Sequence, residues 1–277
     1  MSENTRLKVM FVSTCFAEDW IVIRQLLQLL DKIELVIVRP TDKSTSGSGW
    51  WKNWRDQSIQ RAITQAEFNG SFPETRSLKN EHGVAYIEMA INNPMFSELL
   101  KCEKPRYVIT CGAPILKAPV LKTMKNLGIV CANLHWGIHY RGAESSFWAL
   151  YHRDLENVGV TLHLIDQGVD TGAHLARCRP EVCCCDDEVT LWRKNGNVAA
   201  SLVTELLCAN PESISGVAPQ GKGPCFRYGD RTMYCDMVEF FRRSWARFFS
   251  PSENIPEKRE VFYSSTPKQE VKEAAVA

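Results

Sequence analysis

The chain of 277 residues carries 33 basic and 32 acidic side chains, which gives a net charge of +1 with neutral histidines. Apolar residues make up 44% and charged residues 23% of the chain, a composition typical of globular proteins. This balance gives no electrostatic reason to expect a nucleic-acid partner. The apolar stretches are much shorter than a membrane span, and the first residues lack the apolar core and cleavage site of a signal peptide.

The cysteine content is high, but it does not indicate a disulfide framework. The eleven cysteines are an odd number in a chain too large to need covalent stabilisation. No two of them are spaced as Cys-x-x-Cys, so we expect no structural zinc site. Without a secretion signal, free thiols in a reducing compartment are expected, and we predict a cytoplasmic protein.

The first half of the chain alternates short apolar runs with segments of helical periodicity. The runs at 7–13, 33–38 and 106–110 are typical of buried strands, and the leucines between 26 and 30 follow a helical spacing. A strand, a helix and a strand within about forty residues open a parallel α/β sheet. The strict alternation at 159–165 favours an antiparallel or edge strand. Further strands are predicted at 83–89 and 129–134, and further helices at 92–100, 120–124, 148–151 and 189–207.

Two other segments are rich in aromatic residues. Trp50, Trp51 and Trp54 follow a polar loop, and they either pack in a helix or form a stacking surface for a substrate. An aromatic and basic helix is predicted over 234–249, which either docks onto the core or forms a subunit or membrane-surface contact. The polar stretch 251–277 is expected to be poorly ordered.

Five of the six histidines lie between positions 135 and 174. His135 directly follows a predicted buried strand, at the carboxyl edge where open α/β sheets bind ligands. Asn133 lies two residues earlier, so both side chains point to the same side of an extended strand. An amide donor beside an imidazole forms a candidate oxyanion site with an acid–base partner.

A second polar segment, 166–172, follows the predicted strand at 159–165. Asp166 suits a tight loop, whereas Asp170 near a histidine could orient the imidazole and raise its pKa. Metal binding by His135, Asp170 and His174 is the competing interpretation. No established ligand spacing supports it, and we predict no metal.

Five short motifs run in a fixed order through this region. They are Asn133-Leu134-His135, Tyr140-Arg141-Gly142, Trp148-Ala149-Leu150, Gly159-Val160-Thr161-Leu162-His163 and Asp170-Thr171-Gly172. Together they resemble the formyltransferase catalytic domain over roughly residues 83–180. That family includes glycinamide ribonucleotide formyltransferase, methionyl-tRNA formyltransferase and the sugar N-formyltransferases. Each motif alone is weak, but five in order at suitable spacing are specific.

The resemblance implies a Rossmann-like α/β domain with a mainly parallel twisted sheet, which uses 10-formyltetrahydrofolate as formyl donor. It implies that Asn133, His135 and Asp170 are catalytic, with Asn133 and a protonated His135 stabilising charge on the formyl oxygen. Asp170 would keep His135 charged and help to accept the proton of the attacking amine. For folate, the resemblance implies contacts from the segment 111–117, through Ile115 and Leu116, and from Gln167, Gly168, Val169 and Asp170.

One part of the chain departs from the family pattern. The family usually has a proline-bearing run after the histidine that ends in Pro-x-Tyr-Arg-Gly. Here the run from His135 to Gly142 is about two residues shorter and lacks the proline, so its conformation is in doubt. Residues of this loop fall beside the reaction centre. We predict substrate contacts from Arg141, Trp136, His139 and Trp148.

The length of the chain bears on the acceptor. We expect a catalytic domain over residues 1–210 and a C-terminal extension over 211–277. This extension is short for the tRNA type with its added barrel and long for the glycinamide type, so a nucleotide-linked amino sugar is the predicted acceptor, such as a dTDP-4-amino-4,6-dideoxyhexose. The alternatives are glycinamide ribonucleotide or methionyl-tRNA as acceptor, formyltetrahydrofolate hydrolysis, and an inactive folate-binding protein. Dimers are common among the sugar enzymes, which makes a homodimer an expectation here.

Overall fold

The computed structural model describes residues 6–42, 49–71, 75–183, 186–219, 223–249 and 254–263. The strands are β1 (Leu7–Ser13), β2 (Ile33–Pro40), β3 (Ala85–Met89), β4 (Tyr107–Cys111), β5 (Val130–His135), β6 (Arg141–Gly142), β7 (Val160–Leu164), β8 (His174–Arg179), β9 (Val182–Cys183), β10 (Cys225–Phe226), β11 (Asn254–Ile255) and β12 (Lys258–Val261). The helices are α1 (Ala17–Leu27), α2 (Trp50–Phe68), α3 (Thr75–His82), α4 (Pro94–Glu103), α5 (Ala118–Asn126), α6 (Ser145–Tyr151), α7 (Glu188–Ala209) and α8 (Met233–Phe249). None of these described helices is long and apolar enough to cross a bilayer.

Eight strands form one sheet in the order β12-β8-β7-β5-β4-β1-β2-β3. The five strands from β3 to β5 pair in parallel, whereas β7, β8 and β12 pair antiparallel at the other end. The predicted Rossmann-like α/β fold with a mainly parallel sheet is confirmed. The antiparallel prediction for 159–165 is also confirmed, but β7 lies inside the sheet and not at its edge.

Helices cover both faces of the parallel part, which explains why its strands are apolar without alternation. Along β1, Val9 and Phe11 join one core cluster, and Met10 and Val12 join another. The first cluster is shared with α1 and α7, and the second with α4 and α5. Because both faces are buried, the carboxyl ends of the strands remain as the open edge where functional side chains can gather.

The residues after position 210 pair with the rest of the chain at four places, one of which is the isolated bridge between Val217 and His174. β12 extends the large sheet beside β8, β11 pairs with β9, and β10 pairs with β6. The prediction of a poorly ordered tail is therefore wrong for residues 254–263, because backbone pairing orders this polar segment where composition alone does not. Residues 251–253 and 264–277 lie outside the described residues, and the division into two domains at residue 210 stays a prediction.

The cysteines outside the triplet at 183–185 are free thiols, as expected. Burial raises the pKa of Cys15 to about 11 and that of Cys131 to about 12, so both thiols are weakly nucleophilic at neutral pH. The free thiols are those of Cys15, Cys102, Cys111, Cys131, Cys178, Cys208, Cys225 and Cys235.

Candidate functional site

The three residues predicted to be catalytic meet at the carboxyl end of β5. Asn133 and His135 lie on this strand, and Asp170 lies in the loop between β7 and β8, in a left-handed conformation with φ of 49°. The Asp170 carboxylate is 3.4 Å from His135 Nδ1 through Oδ2 and 3.3 Å from Asn133 Nδ2 through Oδ1. The structure thus brings together residues that are 37 positions apart in the sequence.

Two neighbouring strands fix the orientation of the Asn133 amide. The Thr110 hydroxyl on β4 donates to Asn133 Oδ1 at 2.7 Å, so the amide nitrogen faces the opposite side. There it lies 3.2 Å from His163 Nε2 on β7. His163 Nδ1 donates to the Leu164 carbonyl at 2.8 Å, which leaves Nε2 as the acceptor in the neutral ring. The amide hydrogens are therefore aimed at His163 and Asp170.

The backbone sets the tautomer of His135. Its Nε2 lies 2.7 Å from the carbonyl oxygen of Tyr140, and since a carbonyl only accepts, Nε2 carries a hydrogen. In the neutral ring Nδ1 is then unprotonated and faces the Asp170 carboxylate. This pair of acceptors can share one additional proton.

Burial decides the charges of this pair. Desolvation lowers the pKa of His135 below its usual value, and Asp170 and the Tyr140 carbonyl offset that effect only in part. Burial alone would raise the pKa of Asp170. His135 and the Gly142 backbone N–H, which donates to Oδ2 at 2.8 Å, nevertheless hold the pKa of Asp170 well below its usual range. Burial and the Asp170 carboxylate therefore shift the pKa of His135 in opposite directions, and the protonation of His135 by virtue of Asp170 stays a prediction.

The segments predicted to contact folate flank this cluster. Leu116 is buried in the core cluster shared with α4 and α5, whereas Ile115 is 66% exposed. Asn92 holds this segment in place, because its side chain donates to the Ile115 carbonyl and accepts from the Lys117 backbone N–H. In the second segment, Gln167, Gly168 and Val169 are exposed.

The two segments are neighbours in space, because Ala113 and Ile165 pack against the same core cluster. Ile115 and Val169 are exposed apolar side chains in these two segments, and such side chains suit contact with a flat heteroaromatic ring. The pterin of a folate is a ring of this kind.

The four predicted substrate contacts have different environments. Trp136 is buried against Trp192, with ring centroids 5.3 Å apart, and Trp148 is buried on Phe226 at 4.0 Å. Both indoles are therefore packing residues, and the structure brings neither of them to an open surface. Two of the predicted contacts remain accessible, Arg141 and His139.

Arg141 ties the site loops together. Its Nη1 donates to the Val169 carbonyl at 3.2 Å, and its Nε donates to the Gly223 carbonyl at 2.9 Å. The guanidinium thus links the loop that carries Asp170 to the chain before β10. The guanidinium holds these two loops in place, and Arg141 remains half-exposed.

The competing metal set does not assemble. Throughout the described part of the chain, no group of three or more His, Cys, Asp and Glu side chains is arranged to hold a metal ion. His174 instead faces His163, with ring centroids 6.4 Å apart, and burial lowers its pKa to about 4.

Comparison with known proteins finds formyltransferases among similar sequences and among similar structures. No protein-family model matches the chain. A methionyl-tRNA formyltransferase from Caldanaerobacter subterraneus subsp. tengcongensis is 30% identical over 141 residues, which are 50% of this chain and 45% of that protein. The chain thus resembles formyltransferases in sequence over about half of its length. It spans less than half the length of the first curated relatives that it matches.

Solved structures share the fold of this chain at low sequence identity. A 4-N formyltransferase from Francisella tularensis matches with a TM-score of 0.57 and 12% identity, over 86% of this chain and 87% of that one. An N-formyltransferase from Helicobacter canadensis, in complex with folinic acid and dTDP-3-aminofucose, matches with a TM-score of 0.52 and 13% identity, over 89% and 84%.

A buried ion-pair network lies close to the candidate site. Arg231, which is 3% exposed, contacts Glu188, Glu144 and Asp236 at 2.6–3.1 Å. Arg55 contacts Glu144 at 2.6 Å and Asp236 at 3.6 Å. Because Glu144 follows Gly142 by two residues, this network anchors the backbone that donates to Asp170.

Sequence analysis missed three groups of this site. His163 was noted within a motif, and its position two residues after Thr161 on an alternating strand could have placed it in the cluster. Thr110 ends an apolar strand, which is a weak signal for a polar role. The ion-pair network had no signal, because its partners lie far apart along the chain, as Arg55 and Asp236 do.

Proposed function

We propose that this protein transfers a formyl group from 10-formyltetrahydrofolate to the amine of a nucleotide-linked amino sugar, such as a dTDP-4-amino-4,6-dideoxyhexose. The observation that carries the proposal is the cluster of Asn133, His135 and Asp170. It combines an oriented amide donor with a buried proton acceptor at the open end of β5.

Asn133 is the proposed donor to the formyl oxygen. Bound 10-formyltetrahydrofolate would supply the formyl carbon that an amine attacks. As negative charge develops on the formyl oxygen, an amide N–H of Asn133 stabilises it more than it stabilises the neutral carbonyl. The two contacts of this amide, at 3.2 and 3.3 Å, are long enough to be exchanged for a shorter, charge-assisted one.

His135 and Asp170 are the proposed proton acceptor. An attacking amine must lose a proton, and His135 Nδ1 lacks one in the neutral ring. Once Nδ1 is protonated, the imidazolium lies beside an ionised carboxylate, which compensates its charge in the buried site. The protonated ring then adds to the positive potential around the formyl oxygen, and it would give its proton to the folate nitrogen as the bond between that nitrogen and the formyl carbon breaks.

Folate would be held by the two segments beside Asn133. Ile115 and Val169 offer exposed apolar side chains, and the loop that contains Gln167 and Gly168 offers backbone groups. Asn92 keeps the first segment in shape and Arg141 the second. A preorganised pocket of this kind lowers the entropic cost of binding.

Two features support a sugar acceptor. The solved structures that cover most of the chain include a 4-N formyltransferase and an enzyme bound to dTDP-3-aminofucose. The net charge of +1 lacks the basic excess that binding of a tRNA backbone would favour. Methionyl-tRNA is the second candidate, because the relatives that are similar in sequence are named methionyl-tRNA formyltransferases.

A panel of acceptors tests the proposal. Purified protein with 10-formyltetrahydrofolate is given dTDP- and UDP-linked amino sugars, glycinamide ribonucleotide, methionyl-tRNA or no amine, and products are read by mass spectrometry. We expect a formylated nucleotide sugar, and none with the Asp170→Asn variant. Formylation of only glycinamide ribonucleotide or methionyl-tRNA would overturn the sugar assignment, and amine-independent formate release would identify a hydrolase.

A further inference from the structure

The loop from His135 to Gly142 contains no proline, so no ring restricts its backbone in advance. Contacts with other elements must therefore decide which conformation the loop adopts. This conformation matters for the site, because the Tyr140 carbonyl oxygen lies 2.7 Å from His135 Nε2 and sets the tautomer of the imidazole. Residues that hold the loop thus act on the ring nitrogen that faces Asp170.

Gly137 allows the chain to turn tightly enough for this contact. A Cβ atom on residue 137 would lie 2.8 Å from the Tyr140 carbonyl oxygen and 3.1 Å from His135 Nε2. A side chain here would therefore crowd both atoms of the hydrogen bond that sets the tautomer. The contact between His135 and Tyr140 depends on the path of the backbone at residues 136 and 137.

Two buried hydroxyl groups hold the backbone at these two residues. Ser146 Oγ on α6 donates to the Trp136 carbonyl at 2.7 Å, and Thr161 Oγ1 on β7 donates to the Gly137 carbonyl at 2.7 Å. Ser146 and Thr161 are each 1% exposed, so water cannot replace either hydroxyl at little cost. The directions of two successive carbonyl groups are thereby fixed.

Asn195 on α7 directs the hydroxyl group of Ser146. Its Nδ2 donates to Ser146 Oγ at 3.0 Å, and the residue is completely buried. Since Oγ accepts from Asn195, the single hydrogen of the hydroxyl is left for the Trp136 carbonyl. Among the described residues, Asn195 Oδ1 has no hydrogen-bond partner. A buried amide that is satisfied on one side only is a poor stabiliser, which points to a role in directing Ser146.

Helix α7 also holds residue 136 through its side chain. Trp192 lies three residues before Asn195, so both side chains share one side of the helix. The Trp192 ring packs against the Trp136 indole, with centroids 5.3 Å apart. One helix, itself anchored in the core, thus fixes the indole of Trp136 directly and its carbonyl through Ser146.

We propose that Asn195 and Ser146 are positioning residues for His135, because they hold the loop that brings the Tyr140 carbonyl to Nε2. This inference rests on the proposed function, in which His135 Nδ1 accepts the proton of the amine. Without the Tyr140 carbonyl at Nε2, the carboxylate of Asp170 is the stronger acceptor and draws the ring hydrogen to Nδ1. A ring with its hydrogen on Nδ1 cannot accept a proton there.

The tautomer of His135 in the free protein tests the proposal. In ¹⁵N spectra of the histidine rings at pH 8, with His135 assigned by its loss in His135→Gln, the wild type should carry its hydrogen on Nε2. Ser146→Ala should raise the ratio of the Nδ1–H form to the Nε2–H form about 5- to 10-fold, the effect of one ordinary hydrogen bond. Asn195→Leu keeps the hydroxyl but frees its hydrogen, so it should shift the ratio in the same direction by less.

The rate of formyl transfer gives a second measurement. We expect Ser146→Ala to lower kcat about 10-fold with KM little changed, because less of the enzyme has a proton acceptor at Nδ1. The double variant with Asn195→Leu should be no slower than Ser146→Ala, since Asn195 acts through the Ser146 hydroxyl. Additive losses in the double variant would contradict this order of action.

Ser244→Ala is the matched control. The Ser244 hydroxyl on α8 also donates to a backbone carbonyl, that of Phe240 at 2.8 Å, so the variant loses the same kind of bond elsewhere. It should keep both the tautomer and kcat. A folded Ser146→Ala with a lower melting temperature but the wild-type tautomer would overturn the proposal and leave a structural role. If Ser146→Ala does not fold, the tautomer in Asn195→Leu decides in the same way. The tautomer is read without substrate, so failed formyl transfer would count against the proposed function alone.

Discussion

Asp170 Oδ2 lies 3.4 Å from Nδ1 of His135, while the other ring nitrogen of His135 donates to the Tyr140 carbonyl. The contact with the Tyr140 carbonyl leaves Nδ1 of His135 free to accept a proton. The Asp170 carboxylate then stabilises the imidazolium that forms. Both groups are largely withdrawn from water, so each depends on the other for its charge state.

Removal of either member of this pair should abolish turnover without unfolding the protein. We expect His135→Ala and Asp170→Asn each to lower kcat by about 10³-fold or more, because proton acceptance and stabilisation of the formyl oxygen are lost together. The double variant should be little worse than either single one, since the residues act as a unit. Initial rates with a saturating acceptor and circular dichroism would check this. An unchanged rate in His135→Ala would contradict the proposed mechanism.

Thr110 should act as a positioning residue for Asn133. Thr110→Val keeps the shape of the side chain but removes the hydroxyl that fixes the amide, so we expect kcat to fall about 10-fold or more with KM little changed. Thr123→Val, on the surface of α5, is the matched control and should leave both constants as they are. If Thr110→Val changes KM but leaves kcat unchanged, the hydroxyl contributes to substrate binding and not to the orientation of the amide.

Glu18 should make the protein less stable as the pH rises. Burial, together with repulsion from Asp19 and weaker opposition from Gln60, raises the pKa of Glu18 to about 8. The folded state therefore binds a proton that the unfolded state releases near pH 4.5. Its contribution to stability is complete below that pH and is lost as the pH rises through 8.

Glu18→Gln should remove this dependence. The amide oxygen can still accept from Gln60 Nε2, which lies 2.8 Å from Glu18 Oε2, and no charge has to be buried. We expect the free energy of unfolding at pH 8 to rise by about 1–3 kcal/mol, with no gain at pH 5. Urea titrations at both pH values would show it. Glu34→Gln, at a half-exposed position of β2, should change stability by less than about 0.5 kcal/mol at either pH.

Arg231 should be essential for the docking of the chain after residue 210. Arg231→Met leaves Glu188, Glu144 and Asp236 without their shared cation, and we expect a loss of about 3–5 kcal/mol in the free energy of unfolding. Arg24→Met is the control, because the Arg24 pair with Glu67 is half-exposed and contributes about 1 kcal/mol at most. Equal losses in the two variants would contradict the buried network.

Local patterns in the sequence were sufficient to predict most strands of the sheet and the two site residues on β5. Apolar runs such as 7–13 and 33–38 are buried on both faces, so their composition alone identifies them as strands. Asn133 and His135 lie on one extended segment, and period-two geometry puts them on the same side. The strands β10 and β11 are each only two residues long, and no sequence pattern predicts them. They form because they pair with β6 and β9, and their residue propensities have little part in it.

By itself the sequence determined the Rossmann-like topology and the grouping of Asn133, His135 and Asp170, since these follow from strand periodicity and from motifs in a fixed order. The tertiary structure alone decided that burial lowers the pKa of His135, that Thr110 and His163 orient Asn133, that Trp136 and Trp148 are buried, and that apolar residues of α8 such as Phe241 are exposed. These properties depend on desolvation and on contacts between residues far apart in the chain. Periodicity reports which side of an element is apolar, but only packing decides what that side meets.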